Sequence, residues 1–273
     1  MKVATWNVNQ AGDERAEIAG RTLREHEVDI ALLQEVSPSS FATLQREAGF
    51  DWGISLARNF GPMLDVVGRG GTRCVAIAGK NSECLASSPF PDLHLPEKVL
   101  AAWVDVSGVL VTFVDYHAPH GGHGHLKPEQ AVRIAKWMAA QRGPIVMGGD
   151  FNTPERDPLE DTAVRTHWNT GAPGMGSMLG DDLLVGARPV HELRDTFRTL
   201  LAGNPELRAG IQPDGPLATT ITVKDGPMRY DQIWATAEFE VRDVVHDTSV
   251  LKTQFNPDGR FDHALVVADL VLT

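Results

Sequence analysis

The sequence predicts an α/β protein in which two packed β-sheets are flanked by helices. Three observations predict it. Short runs rich in Val, Ile and Leu recur along the chain, turn clusters and a few helical stretches separate them, and no linker divides them. The strand candidates are Val3–Asn9, Asp29–Glu35, Cys74–Ala78, Ala101–Val106, Val109–His117, Ile145–Phe151, Ala218–Val223, Tyr230–Ala235, Val241–Asp247 and Ala264–Leu270. The clearest helix runs from Pro128 to Gln141. Pro128 suits a first turn, Val132, Ile134, Ala135, Met138 and Ala139 form an apolar stripe, and Gly143-Pro144 stops it. Gly12–His26, Pro38–Ala48 and Val190–Ala202 are expected as shorter helices. Two segments, His117–His125 (rich in His and Gly) and Asn169–Gly180 (rich in Gly and Met), are expected as surface loops, where specificity usually resides.

The 273 residues are expected to form a single domain, residues 1–273, because no break in composition splits them. With 42% hydrophobic residues, a sizeable core forms without disulfides. Cys74 and Cys84 stand in no zinc or redox pattern and are expected as reduced thiols. No apolar run reaches the roughly 18 residues that a membrane span needs. The expected location is the cytoplasm, or outside the cell if a leader was removed. The formal charge of −11 argues against a broad basic face for long nucleic acid. A metal site gathers carboxylates of its own, so the net charge leaves room for a local basic patch.

Polar residues at the ends of apolar strands carry the chemical signal. In an extended chain Thr5, Asn7 and Asn9 point one way while Trp6 and Val8 point the other. Glu35 closes an almost wholly apolar strand, where a carboxylate is costly unless it is solvated, paired or bound to a cation. Gly148-Gly149-Asp150-Phe151-Asn152 follows another apolar strand, and Asp150 and Asn152 project to the same side. Asp231 lies opposite Tyr230 and Trp234, and His263 is its natural partner. Asp262 and His263 precede the last strand. Adjacent residues diverge on a regular strand, so both reach one site only from an irregular start. His117 heads the His-rich loop.

The ordered series resembles the endonuclease/exonuclease/phosphatase superfamily. It comprises Thr5-Trp6-Asn7-Val8-Asn9, Leu32-Leu33-Gln34-Glu35-Val36, Asp115-Tyr116-His117-Ala118-Pro119, Gly148-Gly149-Asp150-Phe151-Asn152-Thr153-Pro154, Arg229-Tyr230-Asp231-Gln232-Ile233-Trp234 and Phe261-Asp262-His263-Ala264. The resemblance implies a four-layer α/β sandwich of two mostly antiparallel sheets with a site at one edge. It further implies a Mg²⁺-dependent phosphoester hydrolase, with Mn²⁺ able to substitute. Carried over position by position, Glu35 is the principal metal ligand, with Asn7 and Asp262 beside it. His263, oriented by Asp231, acts as base or charge partner. Asp150 orients or activates water, and Asn152 holds a phosphate oxygen. His117 stabilises the transition state or assists the leaving group. Asn9 and His120 are expected to touch substrate.

The sequence departs from the family where Tyr230 stands for the usual Ile, Phe261 for Ser, and Tyr116-His117-Ala118 for a Thr-His-Leu type of segment. These changes bear on substrate preference. Leu193–Arg198 also resembles a family segment and is read as a packed helix. The expected partner is a phosphoester, nucleic acid among the candidates, met by a monomer that does not insert into membranes. Three other readings are a phosphatase for a small phosphorylated molecule or lipid head group, a zinc hydrolase using His117, His120, His123 and His125, and an inactive binding module. Zinc sites need three or four ligands at recognised spacing, which the loop lacks. Trp52, Phe60 and Trp168 are expected to pack and not to stack on a base.

Overall fold

The computed structural model describes residues 1–9, 12–64, 73–90, 92–166, 179–224, 226–252 and 259–273. The Asn169–Gly180 loop lies almost wholly outside these residues, as does Trp168. In chain order the strands and helices are β1 (Lys2–Asn7), α1 (Asp13–Glu25), β2 (Ile30–Val36), α2 (Pro38–Ala48), β3 (Trp52–Ser55), α3 (Leu56–Leu64), β4 (Cys74–Gly79), β5 (Glu83–Pro89), β6 (Val99–Val106) and β7 (Val109–His117). There follow α4 (Lys127–Ala140), β8 (Ile145–Asp150), α5 (Leu179–Val185), β9 (Arg194–Asp195), α6 (Thr196–Gly203), α7 (Pro205–Ala209), β10 (Ile221–Val223), β11 (Gly226–Met228), β12 (Asp231–Ala235), β13 (Phe239–Asp247) and β14 (Leu265–Leu272).

Two six-stranded sheets result, ordered β13-β14-β1-β2-β4-β3 and β5-β6-β7-β8-β12-β9, with β10-β11 as a separate small ribbon. Within the large sheets β1–β2 and β7–β8 are parallel and the other neighbours antiparallel. A parallel pair needs a long crossover, and α1 and α4 provide the two here. Strand alternation then builds the layers. Val3, Ile30, Leu32 and Ile77 of the first sheet meet Leu100, Ala102, Phe113, Val146 and Ile233 of the second in a shared inner core. The opposite faces are covered in turn: Ala4, Trp6, Ala31 and Leu33 pack with Leu23 of α1 and Phe41 and Leu44 of α2. Val99, Val114, Tyr116 and Met147 pack with Ile134, Ala135 and Met138 of α4. Helices outside two stacked sheets give the four-layer sandwich. Strands buried on both faces explain why their sequences read as continuous apolar runs.

Local chemistry explains the ends of the elements. Ser37 caps α2 by accepting from Ser40 N, and Gly49 closes it in the left-handed conformation at φ 73°. Val190–Ala202 is not one helix, as the sequence suggested. Arg194 and Asp195 instead pair with Ala235 and Trp234, and Asp195 then starts α6 by accepting from Phe197 N and Arg198 N. The Leu193–Arg198 segment is therefore a strand and a cap as well as a helix start. Both cysteines are reduced thiols, and burial pushes the Cys74 thiol up to about 12. Trp52 and Phe60 pack against the inner core.

Candidate active site

The parallel pairs place two sets of strand ends at one edge of the sandwich. Asn7 ends β1 and Glu35 lies near the end of β2, while His117 ends β7 and Asp150 ends β8. In register, His117 stands beside Asp150, and Asp231 at the start of antiparallel β12 faces Asp150 from the other side. His263 precedes β14, is bridged to Ile221, and its carbonyl accepts from Trp6 Nε1 at 3.0 Å. Side chains more than 250 positions apart in sequence thus share one edge because the topology puts them there.

Glu35 reaches the cleft through an irregularity. On a regular strand it would share the outer face with Leu33. Instead Glu35 adopts φ 56°, and the β2–β4 ladder shifts register between Leu33 and Val36. Such a bulge re-aims a side chain. Glu35 Oε1 lies 3.8 Å from His117 Nε2 of the opposite sheet, and Oε2 accepts from Arg73 Nη1 at 3.1 Å. Close approach at β8 depends on Gly149, where a Cβ would fall 1.8 Å from the Tyr116 carbonyl oxygen. No other residue fits there.

Asp150 is the hub. Its Oδ2 accepts from Asn7 Nδ2 at 3.0 Å and lies 3.7 Å from both His117 Nε2 and His263 Nε2. Its Oδ1 accepts from Asn152 N at 3.0 Å. Burial alone would raise the Asp150 carboxyl, but the His263 imidazolium, with hydrogen bonds from the Asn7 amide and the Asn152 N–H, more than offsets it and holds it below the usual range. Asp150 is therefore a carboxylate. His263 Nδ1 lies 2.8 Å from Asp231 Oδ2. Burial opposes the imidazolium, yet the Asp231 and Asp150 carboxylates push it up to about 10. His117 is the opposite case: burial, reinforced by the Lys98 ammonium, drops it well below the ordinary imidazole value. The cleft thus holds one charged and one neutral imidazole on either side of a carboxylate.

The other expected site residues sit at the periphery. Asn152, at φ 47°, gives its Nδ2 to the Ala118 carbonyl, and its own carbonyl accepts from Lys127 Nζ at 2.8 Å. Asn9 donates its backbone N–H to Asn7 Oδ1 and its amide to Asp262 Oδ2 at 2.7 Å. His120 is exposed and stacks on His117 with ring centroids 5.6 Å apart. Asp262 differs from its expected position. It is exposed and held by Asn9, while its neighbour His263 turns inward, so the two diverge as adjacent residues do. Among the described residues, the acidic and histidine ligand atoms that cluster are Glu35 with His117 and His120, and Asp150 with Asp231 and His263; Asp262 joins neither. Two neighbours carry no signal in the sequence. Lys98 lies 2.8 Å from His117 Nδ1, and Arg73 pairs with Glu35. Each is a lone basic residue without a pattern to mark it.

An acid–imidazole cleft at one edge of two stacked sheets, fed by both parallel strand pairs, defines a DNase-I-like architecture. The chain belongs to the endonuclease/exonuclease/phosphatase family, whose family model matches residues 4–251. Solved structures agree on the fold. A humanized D. rerio TDP2 carrying 14 mutations aligns with TM-score 0.63 and 13% identity, covering 99% of this chain and 98% of that one. An endonuclease/exonuclease/phosphatase from Bacteroides vulgatus aligns with TM-score 0.63 and 18% identity, over 100% and 98%. The mannosyl-6-phosphatase of Bacteroides thetaiotaomicron gives 0.61 and 17%, over the full length of both chains. At these identities the likeness carries the fold alone. No curated protein matches the sequence significantly.

Proposed function

We propose that this chain, as one domain over residues 1–273, is a Mg²⁺-dependent hydrolase that cleaves a phosphodiester by in-line attack of water. The carrying observation is Asp150, ionised and buried, 3.7 Å from the imidazole Nε2 of both His117 and His263. Anionic phosphoryl oxygens repel a nucleophile, and the leaving oxygen needs its charge stabilised. His263, held protonated by Asp231, supplies a fixed positive donor for a phosphoryl oxygen and acts as charge partner, not base. Asp150 orients the attacking water and takes up its proton. Neutral His117 donates to a further oxygen in the transition state. Asn152 has a second amide N–H beyond the one given to Ala118, and this holds a phosphate oxygen. Asn9 and His120, at the mouth, contact the substrate.

The donor set fits a hard divalent cation. Glu35 offers Oε1, with Asn7 Oδ1 as a further oxygen donor, and oxygen donors that leave room for water suit Mg²⁺. Bound there, the cation supplies Lewis-acid stabilisation of phosphoryl charge. Glu35→Ala should raise the Mg²⁺ concentration needed for half-maximal rate far more than it changes substrate affinity.

The family relatives include a D. rerio TDP2 complexed with a single-strand DNA product and a mannosyl-6-phosphatase. The charge of −11 favours a small phosphorylated molecule over long nucleic acid as the second reading. A Mg²⁺/Mn²⁺-dependent panel decides between them: plasmid DNA, single-stranded DNA and RNA, bis-p-nitrophenyl phosphate, inositol phosphates, sugar phosphates and sphingomyelin. Turnover of a diester supports the first reading, turnover of monoesters alone supports the second, and turnover of none by a folded, metal-loaded chain rejects both.

A further inference from the structure

We propose that Lys98 is a positioning residue that fixes the tautomer of His117, so that the ring presents an N–H, and not a lone pair, to the cleft. The inference deepens the hydrolase reading and rests on it. Lys98 ends the short 3₁₀ turn Pro96–Lys98 just before β6, whose first residue, Val99, pairs with Tyr116 beside His117. The register places Lys98 Nζ 2.8 Å from His117 Nδ1. An ammonium carries donors and no acceptor, so the nitrogen it meets must bring the lone pair. A neutral imidazole has one N–H, which is thereby assigned to Nε2. That buried Nε2 has no hydrogen-bond partner among the described residues and lies 3.7 Å from Asp150 Oδ2 and 3.8 Å from Glu35 Oε1. It is a donor whose direction the Lys98 contact sets. A substrate oxygen entering between Glu35 and Asp150 meets it. Burial pulls the Lys98 ammonium below its ordinary value, while the carboxylates of Glu35, Asp150 and Glu97 oppose the loss of its proton.

The same contact bears on metal choice. Glu35, His117 and His120 bring their ligand atoms close enough to suggest a two-histidine, one-carboxylate site for a transition metal. A histidine that binds metal through Nε2 normally donates its other N–H to a carboxylate or carbonyl. Lys98 has the reverse polarity. With Nδ1 engaged by an ammonium, Nε2 keeps its proton and has no lone pair for zinc. The residue that aims His117 at substrate therefore also leaves the cation to oxygen ligands.

The ring nitrogens can be read directly, without activity, by long-range ¹H–¹⁵N correlation on ¹⁵N-histidine-labelled protein. The expected wild-type spectrum shows His117 with a protonated Nε2 and a bare Nδ1, unchanged when ZnCl₂ is added. Lys98→Met should mix or reverse the tautomers and lower kcat roughly 10- to 100-fold with KM little changed. Lys98→Arg, which keeps a donor, should restore both. A wild-type His117 protonated at Nδ1, a zinc-shifted His117 resonance at one equivalent, or a Lys98→Met protein with unaltered tautomer and kcat would overturn the proposal. If Lys98→Met does not fold, the wild-type spectrum alone decides. If the wild-type chain hydrolyses no phosphoester, the hydrolase reading falls, while the spectrum still shows which nitrogen of His117 carries the proton.

Discussion

Arg229→Met removes the guanidinium that ties Asp157, in the segment after β8, to Asp195 at the head of α6. Its Nε lies 2.5 Å from Asp157 Oδ2 and its Nη2 lies 2.6 Å from Asp195 Oδ2, and all three side chains are buried. Burial alone would weaken the guanidinium's hold on its proton, but the two carboxylates keep it above its ordinary value. Removing one partner of a buried pair typically costs about 3–5 kcal/mol because the other charge is left uncompensated. Two features here moderate the loss. Asp195 keeps the N–H groups of Phe197 and Arg198, and Asp157 keeps the Arg198 guanidinium. The lower end, about 3 kcal/mol, is therefore expected. At the roughly 2–4 °C per kcal/mol of chains near this size, Tm should fall by about 6–12 °C. Urea and thermal melts at pH 7 measure it, and a double-mutant cycle tests the cause. If a stranded carboxylate is responsible, adding Asp157→Asn to Arg229→Met should recover part of the loss. A loss below about 1 kcal/mol, or a double variant that loses the sum of both single changes, refutes the reasoning.

Gly149→Ala should leave little folded protein or cost at least about 2 kcal/mol, since the added Cβ overlaps the Tyr116 backbone oxygen; a melt within about 0.5 kcal/mol of wild type would show that β7 can move aside. Acid stability should depend on His246, whose Nε2 is shielded and whose ring packs edge-on against Phe197 at 4.7 Å. Burial, with the nearby Arg229 cation, lowers His246 from 6.5 to about 3. The unfolded chain then takes up a proton near 6.5 that the folded chain takes only near 3. This contribution to stability is whole above about 6.5 and is lost as pH falls toward about 3, at no more than about 1.4 kcal/mol per pH unit. His246→Phe should therefore lose less Tm between pH 7 and pH 5 than wild type, and equal losses would exclude His246 as the cause.

Much of the fold was legible because buried strands announce themselves. Val109–His117 and Pro38–Ala48 match their expected bounds, and the ends of most other expected strands differ by one or two residues. The missed elements lack that signal. Edge strand β5, Glu83-Cys84-Leu85-Ala86-Ser87-Ser88-Pro89, is mostly small and polar and half exposed, so it carries no apolar alternation. In α3 the Gly61-Pro62 pair reads as a breaker. Strand β9 is two residues long and exists only through its pairing with Trp234 and Ala235. At the site, the ordered motifs pointed to Asn7, Glu35, His117, Asp150, Asp231 and His263, which the topology brings to one edge. Hidden from sequence were the bulge that turns Glu35, the outward Asp262, and the cations Lys98 and Arg73. Each of these depends on where a distant backbone passes.

The most direct test of convergence is steady-state hydrolysis of bis-p-nitrophenyl phosphate, with Mg²⁺ or Mn²⁺ and then with EDTA, by wild type, Asp150→Asn and His263→Gln of verified fold. A shared catalytic cleft predicts metal-dependent turnover by wild type, abolished by EDTA, and a fall in kcat of about 100-fold or more in each variant. Turnover that survives EDTA, or variants that match the wild-type rate, would contradict it.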